Sequence, residues 1–309
     1  MIRLDSRQPL PEAMRGAIVA LGNFDGFHAG HQAVVGEALA WARAEGRPCI
    51  VATFDPHPVA VFAPDAKPFR LTTLSQREEL FTAFGADAML VFHFTRAFAD
   101  TTAQDWVQDV LARQIGAAGV VTGIDFTFGK NRQGDIATLA TLGETVGLRA
   151  RAVPPVEDES GTISSSRVRD ALHAADPVSA TRLLTRPFTI RGQVQHGDKL
   201  GRTIGFPTAN LALGDYLRPA YGIYAITGRL PDGRVVKGAA NIGIRPHFDP
   251  PKELLEPHFF DFSGDLYGQE IDIAFHAFLR GEAKFDSMDA LVAQIGRDCD
   301  EARRVLEGV

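Results

Sequence analysis

Two patterns predict the fold class. Over residues 1–185, apolar strand-like runs alternate with amphipathic helical stretches, the signature of a parallel α/β sheet. Over residues 186–309, short β-rich runs are separated by Gly and Pro turns and closed by one helix, the signature of an antiparallel barrel. The change of period places a domain boundary near residue 185, dividing the chain into 1–185 and 186–309. No repeat relates the two halves.

In the first half, strands are expected at 17–21, 49–54, 88–92, 120–122 and 150–153, and helices at 31–45, 75–84, 103–115 and 135–146. Val34, Val35, Ala38, Leu39 and Ala42 share one face of the first helix. In such sheets ligands bind at the carboxyl ends of the strands, and the polar clusters of this sequence fall there. In the second half, strands are expected at 188–194, 222–228, 235–241, 256–260 and 271–278. The final helix, 287–307, has Met288, Leu291, Val292, Ile295, Cys299, Ala302 and Leu306 on its apolar face.

With 309 residues, 45% hydrophobic and 23% charged, the chain can bury two proper cores. A net charge of −6 gives no basic footprint for nucleic acid and argues against a dedicated DNA or RNA binder. No apolar run approaches a membrane span, and the N-terminus lacks a signal-peptide core. Cys49 and Cys299 stand in no metal or redox spacing, and a structural, reduced role is expected of both. A cytoplasmic location is expected.

The first chemical motif is G-N-F-D-G-F-H-A-G-H, residues 22–31, between a buried strand and a helix. His28 and His31 are three apart in the first helical turn, so their side chains share a face. A helix N-terminus attracts anions through its free N–H groups, and Gly30 leaves room for close approach. The pair fits a phosphate pocket, two of four zinc ligands, or capping and core histidines; no third and fourth zinc ligand stand nearby. In T-F-D-P-H-P (53–58) two prolines fix the turn, deny it helix or sheet continuation and give His57 a stiff mount; a plain surface loop is the alternative. G-I-D-F-T-F-G-K-N-R-Q-G (123–134) is not a P-loop, being one residue too long with Asn131 at the Ser/Thr position. Phe126 and Phe128 there are equally read as core. I-S-S-S-R-V-R (163–169) offers hydroxyls, amides and two arginines to a polyphosphate, or an N-capped helix with a solvated basic face. Residues 157–161 read as a flexible loop.

In the second half, G-D-K-L-G-R-T-I-G-F-P-T-A-N (197–210) combines glycines that let backbone wrap a ligand with Thr208 and Asn210, two apart on an extended segment. Such hard oxygens suit Mg²⁺. A Gly-rich hairpin loop with polar residues at its base is the plainer alternative. Glu256 by itself reads as a strand-edge carboxylate.

G-x-F-D-G-x-H-x-G-H resembles the H-x-G-H nucleotidyltransferase signature, in the version of the bifunctional riboflavin kinase/FAD synthetases of bacteria. T-F-x-P-H-P, G-x-D-F-x-F-G-x-x-R-x-G and G-R-x-x-G-x-P-T-A-N match the same family. So do Y-G-I-Y (221–224), N-I-G-I-R-P (241–246), E-P-H-F-F-D-F (256–262), D-L-Y-G (265–268) and L-R-G-E-A-K-F (279–285). The matches run in order along nearly the whole chain. Ser166 stands where the family more often has Thr, which keeps the hydroxyl, and His247 where it usually has Thr.

The resemblance implies a Rossmann-like α/β nucleotidyltransferase domain, the FMN adenylyltransferase, followed by an antiparallel β-barrel riboflavin kinase domain with a C-terminal helix. It implies phosphorylation of riboflavin by ATP to FMN, then adenylylation of FMN to FAD with release of pyrophosphate. Glu256, His28 and His31 are the catalytic candidates, and Thr208 and Asn210 the Mg²⁺ ligands. Nucleotide or flavin contacts are expected from Gly22, Phe24, Asp25, His57, Asp125, Arg132, Ser164, Ser165 and Arg167. In the second half they are expected from Gly197, Gly201, Arg202, Gly205, Pro207, Asn241 and Arg280. The partners implied are riboflavin, FMN, FAD and ATP, with no nucleic acid and no membrane; oligomeric state is not legible. Other readings of the same motifs are a single-activity enzyme whose other domain only binds flavin, a non-catalytic flavin-binding regulator, and a cytidylyltransferase acting on another phosphorylated alcohol.

Overall fold

The computed structural model describes residues 1–196, 200–245 and 252–309. Contacts divide the chain into two compact units, Met1–Ala66 with Thr73–Ser164, and Lys67–Thr72 with Ser165–Val309.

The first unit holds β1 (Ile2–Asp5), β2 (Ile18–Leu21), β3 (Cys49–Asp55), β4 (Ala88–His93), β5 (Gly119–Gly123) and β6 (Arg149–Val153). They form one parallel sheet in the order β1-β4-β3-β2-β5-β6. The helices are α1 (Ala29–Glu45), α2 (Pro58–Phe62), α3 (Leu74–Phe84), α4 (Arg96–Ala99), α5 (Ala103–Asp105) and α6 (Ile136–Glu144). A sheet covered on both faces needs strands apolar on both sides. In β2 and the residue before it, Ala17, Val19 and Leu21 enter one core with Trp106, Leu111 and Leu139. Ile18 and Ala20 enter the other, with Val35 and Ala38 of α1 and Phe81 of α3. The order of strands reverses between β2 and β5, so the switch point where parallel sheets bind ligands lies beside the end of β2.

The expected strands and helices are present within a few residues; α2 starts at Pro58 where the prolines were expected to deny a helix, and four further differences stand out. β1 was not anticipated: it is a short edge strand, and its alternating Arg3 and Asp5 hide the apolar pattern. Residues 106–115 continue α5 as a π-helix, burying Trp106, Val107, Leu111 and Ile115 at intervals near four. The stretch read as a loop forms a two-stranded hairpin, β7 (Glu157–Asp158) and β8 (Gly161–Thr162), turned by Asp158 accepting from Ser160 N–H at 2.8 Å. The fourth difference, β10, lies in the second unit.

The C-terminal end of α1 is locked to β6. Trp41 donates to Glu45 at 2.6 Å, Arg149 binds both oxygens of Glu45 at 2.7 and 2.6 Å, and Arg151 stacks over Trp41 at 4.0 Å. Fixing that end sets where the N-terminus of α1 points.

The second unit opens with α7 (Ser165–His173) and α8 (Pro177–Leu184). Six antiparallel strands follow as a closed barrel: β9 (Phe188–Gln195), β10 (Asn210–Ala212), β11 (Gly222–Arg229), β12 (Val235–Arg245), β13 (Lys252–Phe259) and β14 (Glu270–Arg280), ordered β10-β13-β12-β11-β14-β9. Ile190, Leu211, Tyr224, Ile226, Ile242, Leu255, Ile273 and Phe275 are buried along them. β10 is too short for a sequence pattern and exists by pairing with β9 and β13. After α9 (Leu200–Thr203) and the strands comes α10 (Met288–Val305), whose Cys299 and Ala302, with Leu306 just beyond it, pack on Ala225 and Ala239 of the barrel. Both cysteines are free and buried, and burial pushes their thiols up to about 12 for Cys49 and about 11 for Cys299, in keeping with structural, reduced roles.

Candidate active sites

In the first unit, β2 runs directly into the turn at residues 22–28. Phe24 and Phe27 adopt left-handed conformations (φ 50° and 47°), unfavourable for bulky residues. The cost is met by packing: both rings are buried and meet Phe81 of α3 edge-on at 5.8 and 5.0 Å. Gly22 backs onto the Phe24 ring, and Asp25 is buried inside the turn.

The turn delivers His28 as the N-cap of α1. Its Nδ1 accepts from His31 N–H at 3.4 Å, which puts the ring proton on Nε2. The rings of His28 and His31 stack at 3.6 Å, and Phe24 meets His31 edge-on at 5.3 Å. A Cβ on Gly30 would stand 3.1 Å from His28 Cε1 and 3.3 Å from the carbonyl oxygen of Ile163, so this glycine leaves room for the backbone at Ile163 beside His28. His57 repeats the device: it caps α2 with Nδ1 accepting from Val59 N–H at 3.2 Å, again leaving Nε2 as the donor nitrogen. The His28 imidazole and the N-terminus of α1 lie beside the switch point and His57 follows the neighbouring strand β3, each with an N–H donor suited to phosphate.

Phe126 and Phe128 stack at 6.1 Å; Phe128 belongs to the core and Phe126 packs against it. Asp125 is exposed beyond β5. Arg132 is also exposed, in a left-handed conformation (φ 56°), and donates from Nε to Thr127 at 2.8 Å. Ser164 closes the first unit, whereas Ser165 and Arg167 open α7 in the second.

Sequence reasoning missed two residues at the first site. Thr53 and Arg77 are buried, and Arg77 Nη1 donates to Thr53 Oγ1 at 2.6 Å and to the Asn23 carbonyl at 3.1 Å. The available signal was an arginine one turn before Phe81, on the apolar side of α3.

In the second unit, register assembles the site. Leu211 and Ala212 of β10 pair with Leu255 and Leu254 of β13, which sets Asn210 opposite Glu256. Glu256 in turn pairs with Asn241 of β12. Cross-strand partners share a face, so residues 210, 256 and 241 form one polar row. The face is the one α10 covers, since Ala239 lies two residues before Asn241. Asn241 Nδ2 is 3.5 Å from Glu256 Oε2, and its Oδ1 is buried with no hydrogen-bond partner among the described residues.

Residues 206–209 lead into this row along β13: Ala209 N–H donates to Pro257 at 2.9 Å, and the Pro207 carbonyl lies 2.8 Å from His258 Nδ1. Phe206 N–H donates to Gly201 at 2.8 Å, and a Cβ on Gly201 would collide with the Phe206 carbonyl and lie 3.5 Å from Thr208 Oγ1. Gly205 is left-handed (φ 88°). Arg280 is bound through Nε and Nη2 to Asp298 of α10 at 2.9 and 2.6 Å, so its visible role is to fasten the helix. Gly197 and the Arg202 side chain lie outside the described residues.

The second site offers neutral and anionic oxygens from Thr208, Asn210 and Glu256. Among the described residues no group of three His, Cys, Asp or Glu could hold a metal. That donor set fits a hard divalent cation that takes few protein oxygens and completes its shell with phosphate and water.

An FAD synthetase family model matches residues 10–167 and a riboflavin kinase model matches 184–306. The bifunctional riboflavin kinase/FMN adenylyltransferase of Escherichia coli (strain K12) is 38% identical over 283 residues, 92% of this chain and 90% of its own length. The chain belongs to the bifunctional riboflavin kinase/FMN adenylyltransferase family. The Pseudomonas fluorescens member is 39% identical over 290 residues, covering 94% of this chain and 93% of its own. A solved structure from Streptococcus pneumoniae, described as a macrolide-efflux protein, has a TM-score of 0.87 and 32% identity, covering 98% of this chain and 99% of that one. No helix among the described residues of this family member is long and apolar enough to cross a membrane.

Proposed function

We propose that the chain builds flavin cofactors in two steps: riboflavin and ATP give FMN, then FMN and a second ATP give FAD and pyrophosphate. The observation that carries this reading is the presence of both family matches in one chain, residues 10–167 and 184–306, each containing its own polar site. The functional division is taken at residue 185, giving 1–185 as adenylyltransferase and 186–309 as kinase; α7 and α8 pack with the barrel. The reaction partners are riboflavin, FMN, FAD and ATP, and the proposed location is the cytoplasm.

In the kinase half, the primary hydroxyl of riboflavin is a poor nucleophile and needs a carboxylate to take its proton. Glu256 is the proposed base, set in the row beside Asn241. Thr208 and Asn210 are the proposed Mg²⁺ ligands; the ion, when bound, neutralises charge on the ATP phosphates.

In the adenylyltransferase half, an FMN phosphate oxygen attacks the α-phosphorus of ATP while the bond to pyrophosphate breaks. The nucleophile is already an anion and needs no base. His28, His31 and His57 are proposed to donate to the phosphate oxygens as charge moves to the leaving group. Ser165 and Arg167, at the start of α7, are proposed as further anion-binding groups.

The test is a time course of purified protein with riboflavin, ATP and Mg²⁺, resolved by chromatography. FMN rising first and FAD following is the expected result. No product from folded protein, with FMN also supplied directly, overturns the proposal in favour of a flavin-binding regulator.

A further inference from the structure

The turn that carries His28 is held by α3 in two ways. Phe81 supplies the apolar hold, edge-on to Phe24 and Phe27. One turn earlier on the same helix, Arg77 supplies a polar one. Its guanidinium is buried, 2% exposed, where an arginine is costly unless well bonded.

Three hydrogen bonds close a triangle there. Thr53 Oγ1 donates to the Asn23 carbonyl at 2.8 Å, Arg77 Nη1 donates to the same carbonyl at 3.1 Å, and Arg77 Nη1 donates to Thr53 Oγ1 at 2.6 Å. Asn23 immediately precedes Phe24, the first left-handed residue of the turn. A peptide unit is planar and trans, so a carbonyl held toward α3 turns the following N–H the opposite way. The orientation of the 23–24 peptide, and with it the path to His28, is therefore set by two buried donors. These donors come from β3 and α3, not from the turn.

We infer that Arg77, acting with Thr53, is a positioning residue for FMN adenylylation, clamping the Asn23 carbonyl so that the strained turn presents His28 at the head of α1. The inference rests on the reading of residues 22–31 as the adenylyl-transfer site. Arg77 does not itself touch the reacting atoms. Its effect comes through geometry, where small misplacements of a catalytic group cost rate rather than binding.

The experiment compares Thr53→Val, Thr53→Ser, Arg77→Lys and His28→Asn in the full chain. FAD formation from FMN and ATP is measured as kcat and KM, with riboflavin phosphorylation and thermal melting followed in parallel. Thr53→Val keeps shape and removes one donor. It is expected to lower kcat for FAD formation by about ten-fold or more, with KM for FMN and ATP within about three-fold. Thr53→Ser, which keeps the hydroxyl, is expected to restore kcat. Arg77→Lys is expected to lower kcat at least as far as Thr53→Val, and riboflavin phosphorylation is expected to stay within about two-fold in all of them. Unchanged kcat in folded Thr53→Val and Arg77→Lys, or a loss that follows melting temperature and is not rescued by Ser, overturns the clamp. Undiminished FAD formation in His28→Asn overturns instead the reading of the site on which the clamp rests.

Discussion

His28 caps α1 in this structure and has a separate, proposed role in adenylyl transfer, and substitutions can take the two apart. As N-cap of α1 it accepts from His31 N–H, but at 3.4 Å, longer than an ordinary N–H hydrogen bond. Losing a cap costs about 0.5–2 kcal/mol, and the long distance places this one at the low end. For a unit of this size that is a fall of about 2–4 °C in melting temperature per kcal/mol. The proposed role is electrostatic. Removing one preorganised donor to a developing oxyanion costs about 2.7–4 kcal/mol, or about 10²–10³ in rate. The catalytic term is therefore the larger, and Asn, a good N-cap without an imidazole, isolates it. His28→Ala is expected to lose both the cap and the rate; His28→Asn is expected to melt like the unsubstituted protein yet make FAD about 10²–10³ more slowly. Both are expected to make FMN from riboflavin at the normal rate, because no kinase residue lies in this turn. Chromatography of FMN and FAD, with melting curves alongside, gives all three quantities. His28→Asn forming FAD at the full rate would show that the imidazole is not used. Loss of both activities in a folded variant would refute the separation of sites.

Three further outcomes follow from the same structure. Glu256→Gln should stop FMN formation by about 10²-fold or more while sparing FAD formation from supplied FMN, measured with the two substrates separately; retained phosphorylation would remove Glu256 as the base. Gly201→Ala should shift residues 206–209, since its Cβ collides with the Phe206 carbonyl; riboflavin phosphorylation should fall with FAD formation intact, and an unaffected kinase would show that this approach is not required. Glu45 titrates at about 2 in the folded protein, below the ordinary 4.5, first because of its hydrogen bonds from Arg149 and then because of Trp41. A lowered folded value stabilises above the unfolded one, so this lock of α1 on β6 should be complete above pH about 4.5 and lost progressively toward pH about 2. Glu45→Gln should flatten the acid limb of a melting-temperature profile, and an unchanged limb would refute the assignment.

Local patterning determined much of this protein. The two-domain division, the parallel sheet, the barrel strands and the closing helix follow from periods of hydrophobicity that any segment carries in itself. The shared face of His28 and His31 follows from a spacing of three in one helical turn, and the structure brings the rings to 3.6 Å. Prolines on both sides of His57 argued for a fixed mount and against a helix; the structure instead starts α2 at Pro58, where a first-turn proline needs no N–H, and makes His57 its cap.

What only the tertiary structure decided are the relations between segments that carry no mutual signal in sequence. Asn210, Glu256 and Asn241 become one row through strand register, which a one-residue slip would undo without altering any local pattern. β1 and β10 exist because neighbouring strands offer them hydrogen bonds, since four and three residues are too few to show a period of their own. The orientation of the His28 and His57 rings is set by which backbone N–H each Nδ1 meets. Arg77 shares the Phe81 side of α3 in sequence, but its partners, the Asn23 carbonyl and the Thr53 hydroxyl, are met only when α3 is laid against the ends of β2 and β3. Sequence encodes faces and periods; the pairing of distant faces is settled by packing, which is cooperative over the whole fold.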